Sequence, residues 1–377
     1  METKEVKVII PVYHAQLTAG EKISLMQCKR ILNHYPLCII KPDTLFLEKE
    51  VIQGMEIEEF DAGWFQSVQT YNHLMLTEQF YERFNDYKYI LIYQLDAFVF
   101  RDELHTFCSM DYDYIGAPWI YGRVFYINGI GGYYYTGNGG FSLRKVSACL
   151  EVLRKNRIED AVIEDIFFST RSSGQFKVAP VDIALKFSFE EQVRECFKRN
   201  HQELPFGCHA WQKFDFAFYR QIFQHFGYDT SDIRDGKFDQ ILCDGACDCS
   251  KLAEGSVRKA LKSLLTGMGD KIWIWGAGQI GIKCGWLFEK HHIEIKSYID
   301  SNVQVQGTYL YEKRIENVSE YFMDESNTPV IVAMKHMPEE IKRQLNENGK
   351  KEGRDYTSWE LLIKLLISKE FEPCGSI

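Results

Sequence analysis

From Tyr87 to Phe100 the chain is a long apolar run, broken after Lys88 only at Gln94 and Asp96. A run this rich in aromatic and β-branched residues reads as a strand buried on both faces, where an unpaired carboxylate is costly. Asp96 is therefore expected at the strand's end. Gln94 and Asp96, two residues apart, project to the same side, and the carboxyl end of a parallel strand is where α/β proteins bind ligands. A metal, a phosphate or a sugar hydroxyl would suit this acid, and a capped structural aspartate is the alternative. A second pair of acids, Glu164 and Asp165, lies in the otherwise apolar helical segment Ala161–Ser169. Only one of two adjacent helical residues can face a shared cleft well. A carboxylate among Ile163, Ile166 and Phe167 would bind its proton more tightly, as a general base for a hydroxyl requires. The alternative is a solvated acid beside a helix-end acid.

Two further stretches carry polar chemistry. The segment from Asn128 to Gly140 holds six glycines among tyrosines and asparagines and reads as a loop, continuing through Thr136–Arg144 into a helix over Lys145–Lys155. Gly139 and Gly140 would let backbone approach a ligand, and Asn138 offers both a donor and an acceptor to hydroxyls. A tight turn explains the glycines equally. Later, His209, Trp211 and Lys213 stand together in a non-periodic segment, the histidine suited to a metal and the lysine to a phosphate. A lone histidine is also often structural.

The elements that would position these groups follow from periodicity. Val6–Tyr13, Leu37–Ile40 and Met55–Phe60 read as strands. Helices are expected over Glu21–His34 and, unbroken, over Tyr71–Phe84, which leads into the strand ending at Asp96. Asp111–Trp119 adds a short strand and turn. This alternation is an α/β start, and the first strand lacks the glycine-rich loop of a dinucleotide-binding fold.

With 377 residues, two domains are the natural division. The net charge of -9 disfavours nucleic acid as a partner. No apolar run is long enough for a membrane span and the first residues lack the core of a signal peptide, so a cytoplasmic protein is expected. The 11 cysteines are mostly scattered through apolar segments, as reduced core residues are. Cys243, Cys247 and Cys249 match no common zinc spacing and read as part of a polar linker.

Taken in order, the strand ending in Asp96, the Gly137-Asn-Gly-Gly-Phe-Ser-Leu-Arg144 stretch, the Glu164-Asp165 pair and His209-Ala-Trp-Gln-Lys213 resemble a GT-A-fold glycosyltransferase. They are most similar to the bacterial family described as domain of unknown function 5672, over about residues 5 to 225. The resemblance implies a donor site in which Pro11, Val12 and Tyr13 flank a nucleoside and Asn72 and Gln94 stand beside it. Lys213 would meet the diphosphate, and Asp96 and His209 a divalent cation, Mn²⁺ or Mg²⁺. It implies an acceptor side with Trp119, Asn138, Gly139 and Gly140, and Asp165 or, failing it, Glu164 as base in an inverting transfer from a UDP-sugar. The acceptor would be a glycan or lipid-linked hydroxyl in bacterial surface polysaccharide synthesis, reached with no transmembrane segment and at most peripheral membrane contact. One departure stands out: Gln94 occupies the position where the family pattern has a first aspartate, and an amide binds such cations less strongly.

Beyond a linker over 241–268, Lys271–Trp275 runs into Gly276-x-Gly278-x-x-Gly281, then a helix, then a strand ending at Asp300. That is the context of a nucleotide-binding βαβ unit, with Asp300 placed for a ribose. The fold class expected is thus α/β: a GT-A-like nucleotide-diphospho-sugar transferase domain over 1–240 and a smaller Rossmann-like parallel α/β domain over 269–377. The second module resembles Rossmann-like domains attached to sugar-modifying enzymes and would take a nucleotide or NAD, or serve as structure alone. The competing whole-chain reading is a nucleotide-sugar or NAD-binding oxidoreductase or sensor.

Overall fold

The computed structural model describes residues 3–127, 130–156, 163–171, 176–233, 252, 255–310 and 312–367. The chain forms two compact units, Met1–Ile120 with Tyr134–Asp239, and Tyr121–Tyr133 with Gln240–Ile377. The three clustered cysteines lie outside the described residues. Cys28, Cys38, Cys108, Cys149, Cys196, Cys208 and Cys284 are buried thiols.

In chain order the first strands are β1 (Lys4–Pro11), β2 (Leu37–Pro42), β3 (Glu56–Phe60), β4 (Tyr87–Tyr93), β5 (Phe98–Val99), β6 (Tyr114–Ile115), β7 (Pro118–Ile127), β8 (Ile130–Thr136), β9 (Phe141–Lys145), β10 (Ser188–Phe189) and β11 (Gly207–Cys208). A six-stranded sheet runs β3-β2-β1-β4-β9-β6. β1 to β4 are mutually parallel, and β9 is antiparallel to both β4 and β6. Side chains alternate between two cores: Val8, Ile10, Leu91 and Tyr93 pack on one face, Ile9, Ile90 and Ile92 on the other. The chain goes from β1 outward to β3, then crosses back to put β4 on β1's other side. The carboxyl ends of β1 and β4 therefore flank a topological switch point, where such sheets open a crevice. A separate small sheet, β10-β11-β5, continues from the end of β4.

Several expectations change. The helix expected over Tyr71–Phe84 is two, Val68–Met75 and Glu78–Glu82. Thr77 causes the break, since its hydroxyl donates to Leu74 O and accepts from Phe80 N, capping a new helix. The glycine-rich stretch is not a loop throughout: β8 pairs with β7, and Phe141–Lys145 is an interior strand of the main sheet, between β4 and β6.

In the second unit the strands are β12 (Lys271–Trp275), β13 (Glu294–Ile299), β14 (Tyr309–Leu310), β15 (Lys313–Glu316), β16 (Val330–Val332) and β17 (Tyr356–Ser358). They form one sheet, β14-β15-β13-β12-β16-β17, parallel except at β14. The stretch read as linker contains a helix, Ser256–Leu264. The molecule is thus a two-unit α/β protein with a largely parallel sheet in each unit. Among the described residues no helix is long and apolar enough to cross a membrane.

Candidate functional site

A cavity of about 520 Å³ opens at the switch point of the first unit, lined by Pro11 at the end of β1 and Tyr13 just beyond it, Gln94 and Asp96 after β4, and Tyr71 and Trp211. The helix Ala19–Leu32 forms another wall. It starts with a capping box, in which the Thr18 hydroxyl accepts from Glu21 N and the Glu21 carboxylate accepts from Thr18 N, and both residues line the cavity. Trp211 is held against this helix by its indole N–H, which donates to Ser24 Oγ at 3.2 Å.

Asp96 and Gln94 do face the same way and meet His209. Its Nε2 lies 3.0 Å from Asp96 Oδ1 and 3.1 Å from Gln94 Oε1. On the ring's other edge Nδ1 lies 3.0 Å from Glu190 Oε2. The Asp96 side chain is 48% exposed while His209 is 11% exposed, so the acid is the member that reaches open space. Burial works against charge on His209, but the carboxylates of Asp96 and Glu190 outweigh it and lift its proton affinity well above that of an ordinary histidine. Burial likewise opposes ionisation of Asp96. His209 and the charge of Lys213 overcome that and hold the carboxyl below its usual range. Lys213 itself is exposed.

Among the described residues no three His, Cys, Asp or Glu side chains converge as a ready-made metal cage. The set does fit a divalent cation that brings its own ligands. One carboxylate, one imidazole nitrogen and one amide oxygen converge, a donor set that would hold such a cation only in part.

The glycine stretch connects this cluster to the acidic pair. Gly140 O accepts from Gln94 N at 2.9 Å, and a Cβ on Gly140 would run into His209 Nε2. A Cβ on Gly139 would collide with the Glu164 carboxylate. These glycines are required by protein packing, in addition to any approach of a ligand. Glu164 is buried against Arg144 Nη2 at 3.0 Å. Arg144, with no exposed surface, also donates to Ser142 Oγ, Tyr81 Oη and Gly139 O. Glu164 is therefore not the carboxylate in apolar surroundings that the sequence suggested. Asp165 Oδ2 accepts from Asn138 N at 3.2 Å, and Asn138 Oδ1 accepts from Trp119 Nε1 at 3.0 Å. Asn138 takes a left-handed φ of 62°, and its buried Nδ2 has no hydrogen-bond partner among the described residues.

Three expected donor residues, Val12, Asn72 and Lys213, are not in the cavity's lining. Val12 is 1% exposed and packed into the core, because it continues the inward-facing row of Val8 and Ile10. Asn72 does not line the cavity; Tyr71 and Val68 of the same helix do. Tyr71 and Glu190 were the residues missed. Glu190 follows the two-residue strand Ser188–Phe189, which is too short to show as an apolar run in the sequence.

In the second unit, Asp300 Oδ2 accepts from Ala277 N at 2.7 Å and Oδ1 from Asn302 N at 2.8 Å, so the acid ties down the glycine loop. Gly276 has φ 109°, and a Cβ on Gly281 would collide with Gly276 O where the helix Gln279–Lys290 packs onto β12. Gly278 caps that helix and is uncrowded.

A family model described as "Protein of unknown function (DUF5672)" matches residues 54–209, a stretch that includes Asp96, Glu190 and His209. A second model, "C2185-like, N-terminal", matches residues 268–354. No curated protein matches the chain. Two solved structures show faint likeness. A crystal structure of A197 from STIV is 14% identical with a TM-score of 0.26, over 47% of this chain and 82% of that one. The apo structure of WbbM, a bifunctional glycosyltransferase, is 11% identical with a TM-score of 0.36, over 55% of this chain and 45% of that one.

Proposed function

We propose that the chain is a glycosyltransferase, moving a sugar from a UDP-sugar to a hydroxyl of a glycan or lipid-linked acceptor in bacterial surface polysaccharide synthesis. The observation that carries this reading is the meeting of Gln94, Asp96 and His209 beside a cavity at the carboxyl ends of β1 and β4. Pro11 and the 60% exposed Tyr13 would frame the nucleoside, and Lys213 would approach the diphosphate. Asp96, His209 and Gln94 would hold Mn²⁺ or Mg²⁺, whose charge offsets that of the leaving diphosphate when bound.

On the acceptor side, Arg144 engages Glu164, which favours Asp165 as the group that takes the acceptor's proton. Asn138, with a spare amide donor, and Trp119 would orient the acceptor. Attack assisted by a base opposite the departing diphosphate inverts the anomeric centre. The second unit would be an accessory nucleotide-binding module.

Incubation with a panel of UDP-sugars, measuring free UDP, tests the reading. Turnover is expected with at least one donor, with a loss of about 10²–10³-fold in Asp96→Ala, the scale of removing one electrostatic stabiliser. Turnover that survives EDTA would remove the metal, and retention of the donor's anomeric configuration would remove Asp165 as base. NAD turnover unaffected by Asp96→Ala would favour the oxidoreductase reading instead.

A further inference from the structure

His209 is placed by backbone pairing, and so is its neighbour. β10 and β11 pair in parallel with Phe189 opposite Cys208, and His209 N donates to Phe189 O at 2.9 Å. The residues that follow the two strands, Glu190 and His209, therefore stand side by side. β5 pairs antiparallel to β11 with Phe98 opposite Cys208, which brings Asp96 to the imidazole's other edge. The ring lies between two carboxylates from different strands.

Glu190 has no part in the reading above, yet its burial demands a role. Its side chain is 11% exposed, as is that of His209, and Oε2 lies 3.0 Å from Nδ1. Neither atom makes a well-aligned hydrogen bond to any described residue. A buried carboxylate oxygen and a buried ring nitrogen are costly to leave unmatched, and each is the other's close polar neighbour. Which nitrogen of an imidazole presents a lone pair is decided by the partner of the other nitrogen, and a carboxylate on the far edge makes the ring a stronger ligand.

We infer that Glu190 is the positioning residue of this site: its carboxylate takes the Nδ1 edge of His209 and so commits Nε2 to the ground shared by Asp96 and Gln94. His209 Nε2, the Asp96 carboxylate and the Gln94 amide oxygen would then together hold a divalent cation that accompanies a nucleoside diphosphate. Glu190 touches neither cation nor substrate and acts through the ring. The inference rests on the glycosyltransferase reading, in which His209 is a ligand.

The test is Mn²⁺ binding in the presence of UDP, followed by electron paramagnetic resonance on the full chain, with Glu190→Gln, Glu190→Ala and His209→Ala beside the wild type. Thermal melts establish that each variant is folded. Glu190→Ala is expected to weaken Mn²⁺ binding about 10–100-fold, and Glu190→Gln, which keeps an acceptor, to recover much of that loss. In ¹⁵N-histidine spectra of the metal-free protein, the His209 ring signals should shift in Glu190→Ala. Wild-type Mn²⁺ affinity in Glu190→Ala, with binding lost in His209→Ala, would overturn the positioning role and leave the site's reading intact. Unchanged affinity in His209→Ala would overturn the metal reading itself, and the role of Glu190 with it.

Discussion

A methyl group at Gly140 would be driven into His209 Nε2 and would lie 2.6 Å from Gln94 Oε1. Gly140→Ala should therefore displace the ring. An activity loss of about 10²-fold is expected, as for an ångström-scale misplacement, with a stability cost of about 1–3 kcal/mol from overpacking. UDP release and urea unfolding measure the two separately, and an unchanged rate would detach His209 from the reaction. Arg144 and Glu164 offer a sharper test of burial. Arg144→Met leaves a buried carboxylate unmatched and should cost about 3–5 kcal/mol. Arg144→Met with Glu164→Leu should cost less than the sum of the single changes, because the second removes the stranded charge. Strict additivity in urea unfolding would mean that the pair does not interact. Asp96 was legible in the sequence because a lone acid in an apolar run is conspicuous. The pairing of Glu164 was not, because Arg144 lies twenty residues away on a strand that glycines disguised.

Elements position the cavity as much as residues do. The helix Ala19–Leu32 begins at the cavity, with Thr18 and Glu21 serving both as its capping box and as lining. Thr18→Ala should cost about 0.5–2 kcal/mol through the lost cap and lower the thermal shift produced by UDP. A variant that loses stability but keeps the full UDP shift would separate the cap from the site. The strands and the first long helix of the first ninety residues could be read from apolar spacing. The glycine-rich stretch could not, since glycine has no side chain to carry a period-2 pattern and β8 is defined by backbone pairing with β7. Thr77 gave a local capping signal that continuous helical spacing on both sides concealed.

At the scale of the whole molecule, each unit has its own sheet and core, and the second holds a half-buried acid with several partners. Asp324 accepts from Trp273 Nε1 at 2.8 Å, from Lys296 Nζ at 2.7 Å and from Ser326. Burial opposes its ionisation, but Lys296, Trp273 and Ser326 outweigh this and hold the carboxyl well below its usual range. A depressed folded-state proton affinity gives stability that is present above about pH 4, the unfolded value, and is lost as pH falls toward the folded one. The melting temperature should thus drop as pH falls below about 4, and drop less in Asp324→Asn; equal slopes would show that another group carries the acid sensitivity. The sequence by itself determined the α/β class, the acid at the end of β4 and the glycine pattern after β12, because each is written in neighbouring residues through periodicity and local conformational need. Tertiary structure alone decided that Asp96, Glu190 and His209 meet, that Val12 turns into the core, and that Asp300 binds its own loop. Those outcomes depend on which strands pair and in what register, and pairing joins residues that no local spacing relates.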